Sequence, residues 1–158
     1  MTLIRHGEAG DDAARDELRS LTLKGRAAVA RVAHTLRRRG GDFTAVVSSP
    51  LVRALQTAEI VAAEIGFDGR VVVSEALVPE ARVSQVIALL ASLHDEESVA
   101  LVAHEPILSS IAGELLGRGR FAALRKAEVV RLRLPEGPGK PGGELRWRID
   151  PDSGSRTE

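Results

Sequence analysis

Leu3-Ile4-Arg5-His6-Gly7-Glu8-Ala9 is the stretch from which the rest of the chain is read. An apolar start runs directly into Arg-His-Gly. This predicts a short buried strand over residues 2–5 that ends at a reactive turn. Imidazole is a nucleophile and a proton carrier near neutral pH. A guanidinium grips phosphate oxygens with two parallel hydrogen bonds. Glycine lets the backbone turn and approach a ligand closely. The stretch therefore raises a phosphate-handling site built on His6. Three such residues also occur together by chance, so the reading depends on what the remaining chain supplies.

Moving outward, strands and helices alternate. Residues 10–20 are polar and charged and read as a loop or a weak helical turn. Thr22 is a good N-cap for an amphipathic helix carrying Val29, Val32, Ala33 and Leu36 at i, i+3, i+4 and i+7. Arg37-Arg38-Arg39 suits the end of its dipole, and Gly40-Gly41 stops it. A second strand spans 43–47. Ser48-Ser49-Pro50 then predicts a helix over 50–65, with serine as cap and proline at the first helical position. Val71-Val72-Val73 is a third strand and 83–93 a third helix. Residues 99–102 form a continuous apolar strand, as expected when both faces are covered. His104-Glu105-Pro106 opens a fourth helix that runs to about residue 116. Residues 129–134 and 144–149 alternate apolar and polar and predict an antiparallel pair at a sheet edge, joined by a Pro/Gly-rich connection over 135–143. One domain over 1–150 is expected, with a polar, disordered tail over 151–158.

This order implies an α/β fold with a mostly parallel sheet covered on both faces. In such sheets ligands bind outside the carboxyl ends of the strands. His6, Ser48 and His104 all fall at such ends. The first junction supplies Arg5 and His6. The second supplies Ser49-Pro50 and then Arg53, in the first turn of a helix whose N-terminus already attracts anions. The third supplies His104. Alone, Arg53 reads as a solvated helix arginine and His104 as a loop histidine; their common placement argues otherwise. His34 and His94 lie within or at the end of helices and read as structural or solvated.

Composition removes several alternatives. The 158 residues suit one domain with a substantial core. Twenty-two basic and 22 acidic residues cancel, which argues against nucleic-acid or membrane-surface partners. Cysteine is absent, so disulfides and cysteine metal sites are excluded. Two histidines alone make a poor zinc site, and phosphoryl transfer by a histidine nucleophile held among cations requires neither metal nor cofactor. The first apolar stretch is too short for a signal peptide, and a cytoplasmic location is expected.

Arg5-His6-Gly7, Ser49-Pro50-x-x-Arg53-Ala54-x-Gln56-Thr57 and Val102-Ala103-His104-x-Pro106 together resemble the histidine phosphatase superfamily, also called phosphoglycerate-mutase-like. The resemblance covers about residues 2–150. Arg5-His6-Gly7-Glu8-Ala9, Arg19-x-Leu21-Thr22-x-x-Gly25, the small size and the ending Leu145-Arg146-Trp147-Arg148 are similar to its short SixA-type members, the phosphohistidine phosphatases. The resemblance implies a three-layer α/β/α sandwich and a covalent phosphohistidine intermediate formed without a metal. His6 matches the nucleophile. Arg5, Arg53 and His104 match the phosphate pocket, and Arg19 matches an arginine near it.

Two departures matter. Larger members carry a glutamate general acid in an insertion after the third strand. Here Ala76-Leu77-Val78-Pro79-Glu80 occupies that region without their pattern, leaving Glu80 as the best-placed candidate and Glu75, Glu8 and Glu105 as alternatives. Glu105 also follows His104 directly, where it either raises the His104 pKa or points into solvent. No insertion is long enough to form a lid. An open, shallow site suits a phosphorylated side chain on another protein, such as one that signals or transfers phosphate through phosphohistidine, better than a small phosphoester. The alternatives are a broad phosphomonoesterase and a non-catalytic phosphate-binding module. The two arginines beside His6 should keep its ring neutral into mildly acidic solution.

Overall fold

The alternation of Leu3 and Ile4 sends one side chain to each face of a sheet, and both faces are buried. The computed structural model describes residues 1–135 and 142–158. β1 (Thr2–Arg5), β2 (Ala45–Ser48), β3 (Val72–Val73) and β4 (Val99–Ala103) are parallel, and β5 (Val129–Arg133), β6 (Glu144–Ile149) and β7 (Arg156–Thr157) add an antiparallel edge. The order across the sheet is β3-β2-β4-β1-β5-β6-β7. β4 lies inside the sheet, between β2 and β1, which explains its uninterrupted apolar run: all five residues are buried.

Four helices complete the layers. Leu3, Val47, Leu101 and Val130 pack with α3 (Val83–Ser92) and α4 (Ile107–Leu115). Ile4, Val46, Val102 and Val129 pack with α1 (Leu23–Arg39) and α2 (Val52–Ile65) on the other face. The result is the three-layer α/β/α sandwich. Thr22 caps α1 as expected, its Oγ1 accepting from the Gly25 amide at 2.9 Å, and Gly40 closes the helix in the left-handed region at φ 112°. Gly25 has a second reason to lack a side chain. A Cβ there would overlap the Glu8 carbonyl oxygen, so α1 presses its first turn directly on the loop that follows His6.

Two expectations need correction. α2 begins at Val52 with Leu51 in the cap position, two residues later than Ser-Pro suggested. The Ser49 hydroxyl is drawn toward His104 instead, leaving residues 49–51 outside the helix. Residues 151–158 are ordered. Arg156–Thr157 pairs with β6, and Arg31 and Thr35 of α1 donate to the Pro151 and Gly154 carbonyls at 2.6 and 2.9 Å. Asp150 organises the turn by accepting from the Asp152 and Ser153 amides, which lets a polar segment cover the free edge of β6. The stretch at 10–20, read as a loop or a weak helical turn, contains a 3-10 turn, Asp16–Leu18. Most of the Pro/Gly-rich connection lies outside the described residues.

Candidate active site

β1, β2 and β4 end on the same edge of the sheet. The β1–β4 register pairs Ile4 with Val102 and Arg5 with Ala103, so the next residues, His6 and His104, leave the sheet side by side. Their ring centroids are 4.8 Å apart, at 53°. β2 pairs Ser48 with Val102, and Ser49 follows; its Oγ lies 2.8 Å from His104 Nε2.

The His6 backbone is fixed on both sides. Its N–H donates to the Ala103 carbonyl at 3.1 Å, and its carbonyl accepts from the Ala127 amide at 3.0 Å. The ring is fixed too, with Nδ1 2.7 Å from the Gly7 carbonyl oxygen. A carbonyl only accepts, so Nδ1 carries the proton and, in the neutral ring, Nε2 keeps its lone pair. The Gly7 amide donates to Thr57 Oγ1 at 3.1 Å, and that hydroxyl donates to the Arg53 carbonyl at 2.7 Å. Thr57 thus ties the turn after β1 to the first turns of α2.

Burial pushes the His6 pKa down to about 4. The charges of Arg53, Arg5 and Lys126 add to this, and the Gly7 hydrogen bond opposes it. His104 is pushed down to about 3, again mainly by burial and then by His6 and Arg53. The neutral His6 expected from the arginines is therefore found, with desolvation as the larger cause. Glu105 does not raise His104. Its carboxylate accepts from the Leu124 amide at 2.8 Å and from Ser109 Oγ at 2.5 Å, which commits it to tying α4 to the segment before β5.

A stability prediction follows. Free imidazole titrates near ~6.5, whereas both folded rings titrate well below it. Between about pH 6.5 and 4 the unfolded chain binds protons that the folded chain refuses, so stability is lost as pH falls through that window. The melting temperature is expected to be flat from pH 8 to 7 and to fall from pH 6.5 to 4.5, and a His104→Gln variant should show a shallower fall. Equal slopes for the two proteins would contradict the assignment.

Arg5 Nη1 donates to the Leu124 carbonyl at 2.5 Å. Its Nε is buried without a hydrogen-bond partner among the described residues, as is His104 Nδ1. The Arg53 side chain is only 7% exposed. Its Nη1 and Nη2 donate to the Asp16 carbonyl and carboxylate at 2.7 and 2.9 Å. Arg19 reaches the same carboxylate at 3.0 Å, donates from Nε to the Gly10 carbonyl at 2.7 Å and pairs with Asp11 at 2.5 Å. Arg5, His6, Arg53 and His104 are thus brought together, and Arg19 joins them through Asp16.

The carboxylates predicted as acids separate into two groups. Glu8 is turned toward the start of α1, 3.1 Å from Thr22 Oγ1 and 3.5 Å from Lys24, and Glu105 is committed as described. Glu80 and Glu75 are exposed and line a groove of about 730 Å³ with Asp16, Pro50 and Leu51. A cavity of about 610 Å³ lined by Met1, Leu90, Arg131 and Trp147 lies at the opposite edge of the sheet and contains none of these residues.

Sequence reasoning placed Ser49 at the second junction without its bond to His104, and gave Asp16 and Thr57 no role at this site. Thr57 and Ser49 stood inside the motif that drew attention to Arg53. Asp16 had no local signal, because its role depends on a turn that folds back over α2.

A buried histidine pair at the carboxyl edge of a parallel sheet, framed by two arginines, is the arrangement of a phosphoryl-handling protein. The chain belongs to the histidine phosphatase superfamily and is a phosphatase of that superfamily; the model of its branch 1 matches residues 1–78. It is 37% identical over 137 residues to an uncharacterized protein of Picosynechococcus, covering 82% of both chains. It is 28% identical over 151 residues to the phosphohistidine phosphatase SixA of Escherichia coli, covering 94% of this chain and 92% of that one. A solved structure of the protein histidine phosphatase SixA complexed with tungstate superimposes with a TM-score of 0.86 at 29% identity, covering 96% and 98% of the two chains. Among the described residues, no helix is long and apolar enough to cross a membrane, and no group of three or more His, Asp or Glu is placed to hold a metal ion.

Proposed function

We propose that the protein removes phosphate from phosphohistidine on another protein through a covalent intermediate on His6. The observation that carries this reading is the His6 ring itself: Nδ1 is locked on the Gly7 carbonyl, Nε2 holds a lone pair, and burial keeps the ring neutral. In the first step Nε2 attacks phosphorus and the P–N bond to the substrate breaks, the electron pair going to a substrate ring that is protonated on its other nitrogen and so leaves as neutral imidazole. In the second step water attacks phosphorus, the P–N bond to His6 breaks, and inorganic phosphate leaves. His6 regains its neutral lone pair.

The neighbours stabilise charge during both steps. Arg5 and Arg53 hold the phosphoryl oxygens. Ser49 Oγ accepts from the Leu51 amide at 3.4 Å, which leaves its hydrogen free to donate to His104 Nε2. The neutral His104 ring then carries its own proton on Nδ1, as a donor for a phosphoryl oxygen. An imidazole leaving group needs no strong acid, which fits the absence of a carboxylate hydrogen-bonded to either histidine among the described residues. The SixA relatives are named for phosphohistidine or protein-histidine phosphatase activity, and their similarity over nearly the full chain supports the same substrate class here.

A broad phosphomonoesterase is the second reading, and Glu80 on the adjoining groove favours it, because an alkoxide leaving group does need an acid. Turnover of a phosphohistidine-bearing protein, compared with a panel of small phosphomonoesters, separates the two. The phosphoprotein is expected to be the better substrate, and a Glu80→Gln variant to retain that activity. A hundredfold preference for small esters, lost in the Glu80→Gln variant, would transfer the assignment to the second reading.

A further inference from the structure

Both terminal nitrogens of Arg53 are occupied by a single residue, Asp16. Nη1 meets its carbonyl oxygen and Nη2 its carboxylate Oδ2, while Oδ1 of the same carboxylate accepts from Arg19. A negatively charged group with two oxygens therefore sits between two guanidinium groups. A phosphoryl group bound for transfer to His6 requires the same Arg53 N–H groups, because the arginine fork delivers its two hydrogen bonds in parallel. The two occupants are unequal in charge and in attachment. The carboxylate carries one negative charge and a phosphoryl dianion two. Arg53 is nearly fully buried on the firm α2, whereas the Asp16 side chain is 59% exposed on a three-residue turn that contains no buried residue. Hydrogen bonds from Arg53 and Arg19 hold the Asp16 carboxyl below the usual carboxylate range, so it is ionised at neutral pH. Its charge is also felt by His104, which places it within electrostatic reach of the histidine pair.

We propose that Asp16 is a built-in occupant of the phosphate pocket. Its carboxylate holds Arg53 and Arg19 ready for an oxyanion between turnovers and is displaced by the incoming phosphoryl group. Asp16 is a positioning and specificity residue under this proposal. It favours doubly charged phosphoryl groups over singly charged anions, because only the former outcompete a resident carboxylate. It also re-enters as product leaves and weakens the hold on inorganic phosphate. The proposal rests on the reading of the pocket as the phosphate site.

Calorimetric titration of the full chain with inorganic phosphate at pH 7.5 tests it. Asp16→Asn removes the competing charge and is expected to bind phosphate at least about tenfold more tightly, since like charges forced together at a binding site are strongly unfavourable. Asp16→Glu keeps the charge and should bind as the parent does. Arg53→Ala should bind poorly. The KM for a phosphohistidine substrate should fall in Asp16→Asn along with the phosphate inhibition constant. A merely structural role predicts the opposite sign, because loosening the turn would disorder Arg19 and weaken binding. Parent binding with unchanged or weaker binding by Asp16→Asn would overturn the role of Asp16 and leave the pocket reading intact. Failure of both proteins to bind phosphate would overturn the two together.

Discussion

His6→Ala is expected to leave no acid-labile phosphate on the protein and to lower turnover by about 10⁴-fold or more, the scale seen when a covalent nucleophile is removed. The expectation rests on the one unshared electron pair that the site presents. Nδ1 of His6 is spent on the Gly7 carbonyl, leaving Nε2 to bond phosphorus. His104 is a poor substitute, because its Nε2 is engaged by Ser49. The variant should fold. The hydrogen bonds that seat residue 6 are made by its backbone, to Ala103 and from Ala127, and these survive the substitution. Removing a buried ring whose pKa is pushed down also removes part of the acid penalty, so His6→Ala should lose less stability than the parent between pH 6.5 and 4.5. Labelling with a phosphodonor, followed by acid treatment, reads the first outcome directly. Acid-labile label that persists in His6→Ala would remove His6 from its assigned role.

Arg53→Ala is expected to cost about 100-fold or more in kcat/KM, by analogy with deleting one transition-state hydrogen-bond donor. Its guanidinium is almost entirely buried, so its charge is poorly screened by water, and it contributes to holding both histidines neutral. The backbone of residue 53 would continue to accept from Thr57, so the link to Gly7 persists and the loss belongs to the side chain. Arg53→Lys should recover little, since an ammonium offers a point charge where the fork offers two parallel donors. Steady-state kinetics with a phosphohistidine protein measure this, and a tenfold or smaller effect would place Arg53 outside the pocket.

The large features of the fold were legible because they depend on periodicity. Val29, Val32, Ala33 and Leu36 announced α1, and the continuous apolar run at 99–102 announced a central strand. His6, Arg53 and His104 were legible because each lies on or just after a strand end, where open parallel sheets bind ligands. What escaped was set by contacts distant in sequence. Ser49 looked like a helix cap because nothing nearby reveals that His104, 55 residues on, competes for its hydroxyl. The last eight residues looked disordered because their own polar composition does not show that they dock on β6 and α1. Asp16 stood among exposed charges that carry no pattern, and only the tertiary position of α2 puts Arg53 beside it. The expected cause of a neutral His6 was incomplete for the same reason: charge is visible in a sequence, but the depth of burial is not.

The adjacency of β1 and β4 has a consequence for how such a protein can change its clientele. His6 and His104 stand one residue beyond the last paired positions of neighbouring strands, and their 4.8 Å separation matches the ~4.8 Å spacing of hydrogen-bonded strands. The strand ladder thus fixes where the two residues leave the sheet, and the Gly7 carbonyl and the Ser49 hydroxyl orient the rings within that frame. The turn at Asp16–Leu18 and the segment carrying Glu75 and Glu80 lie outside that ladder and contribute no atom to it. Loops of different length and charge can be exchanged around the rim while the two strand ends keep their spacing, so the seat of the histidine pair is structurally separable from the segments around it, with Asp16 as the point where the rim reaches back to Arg53.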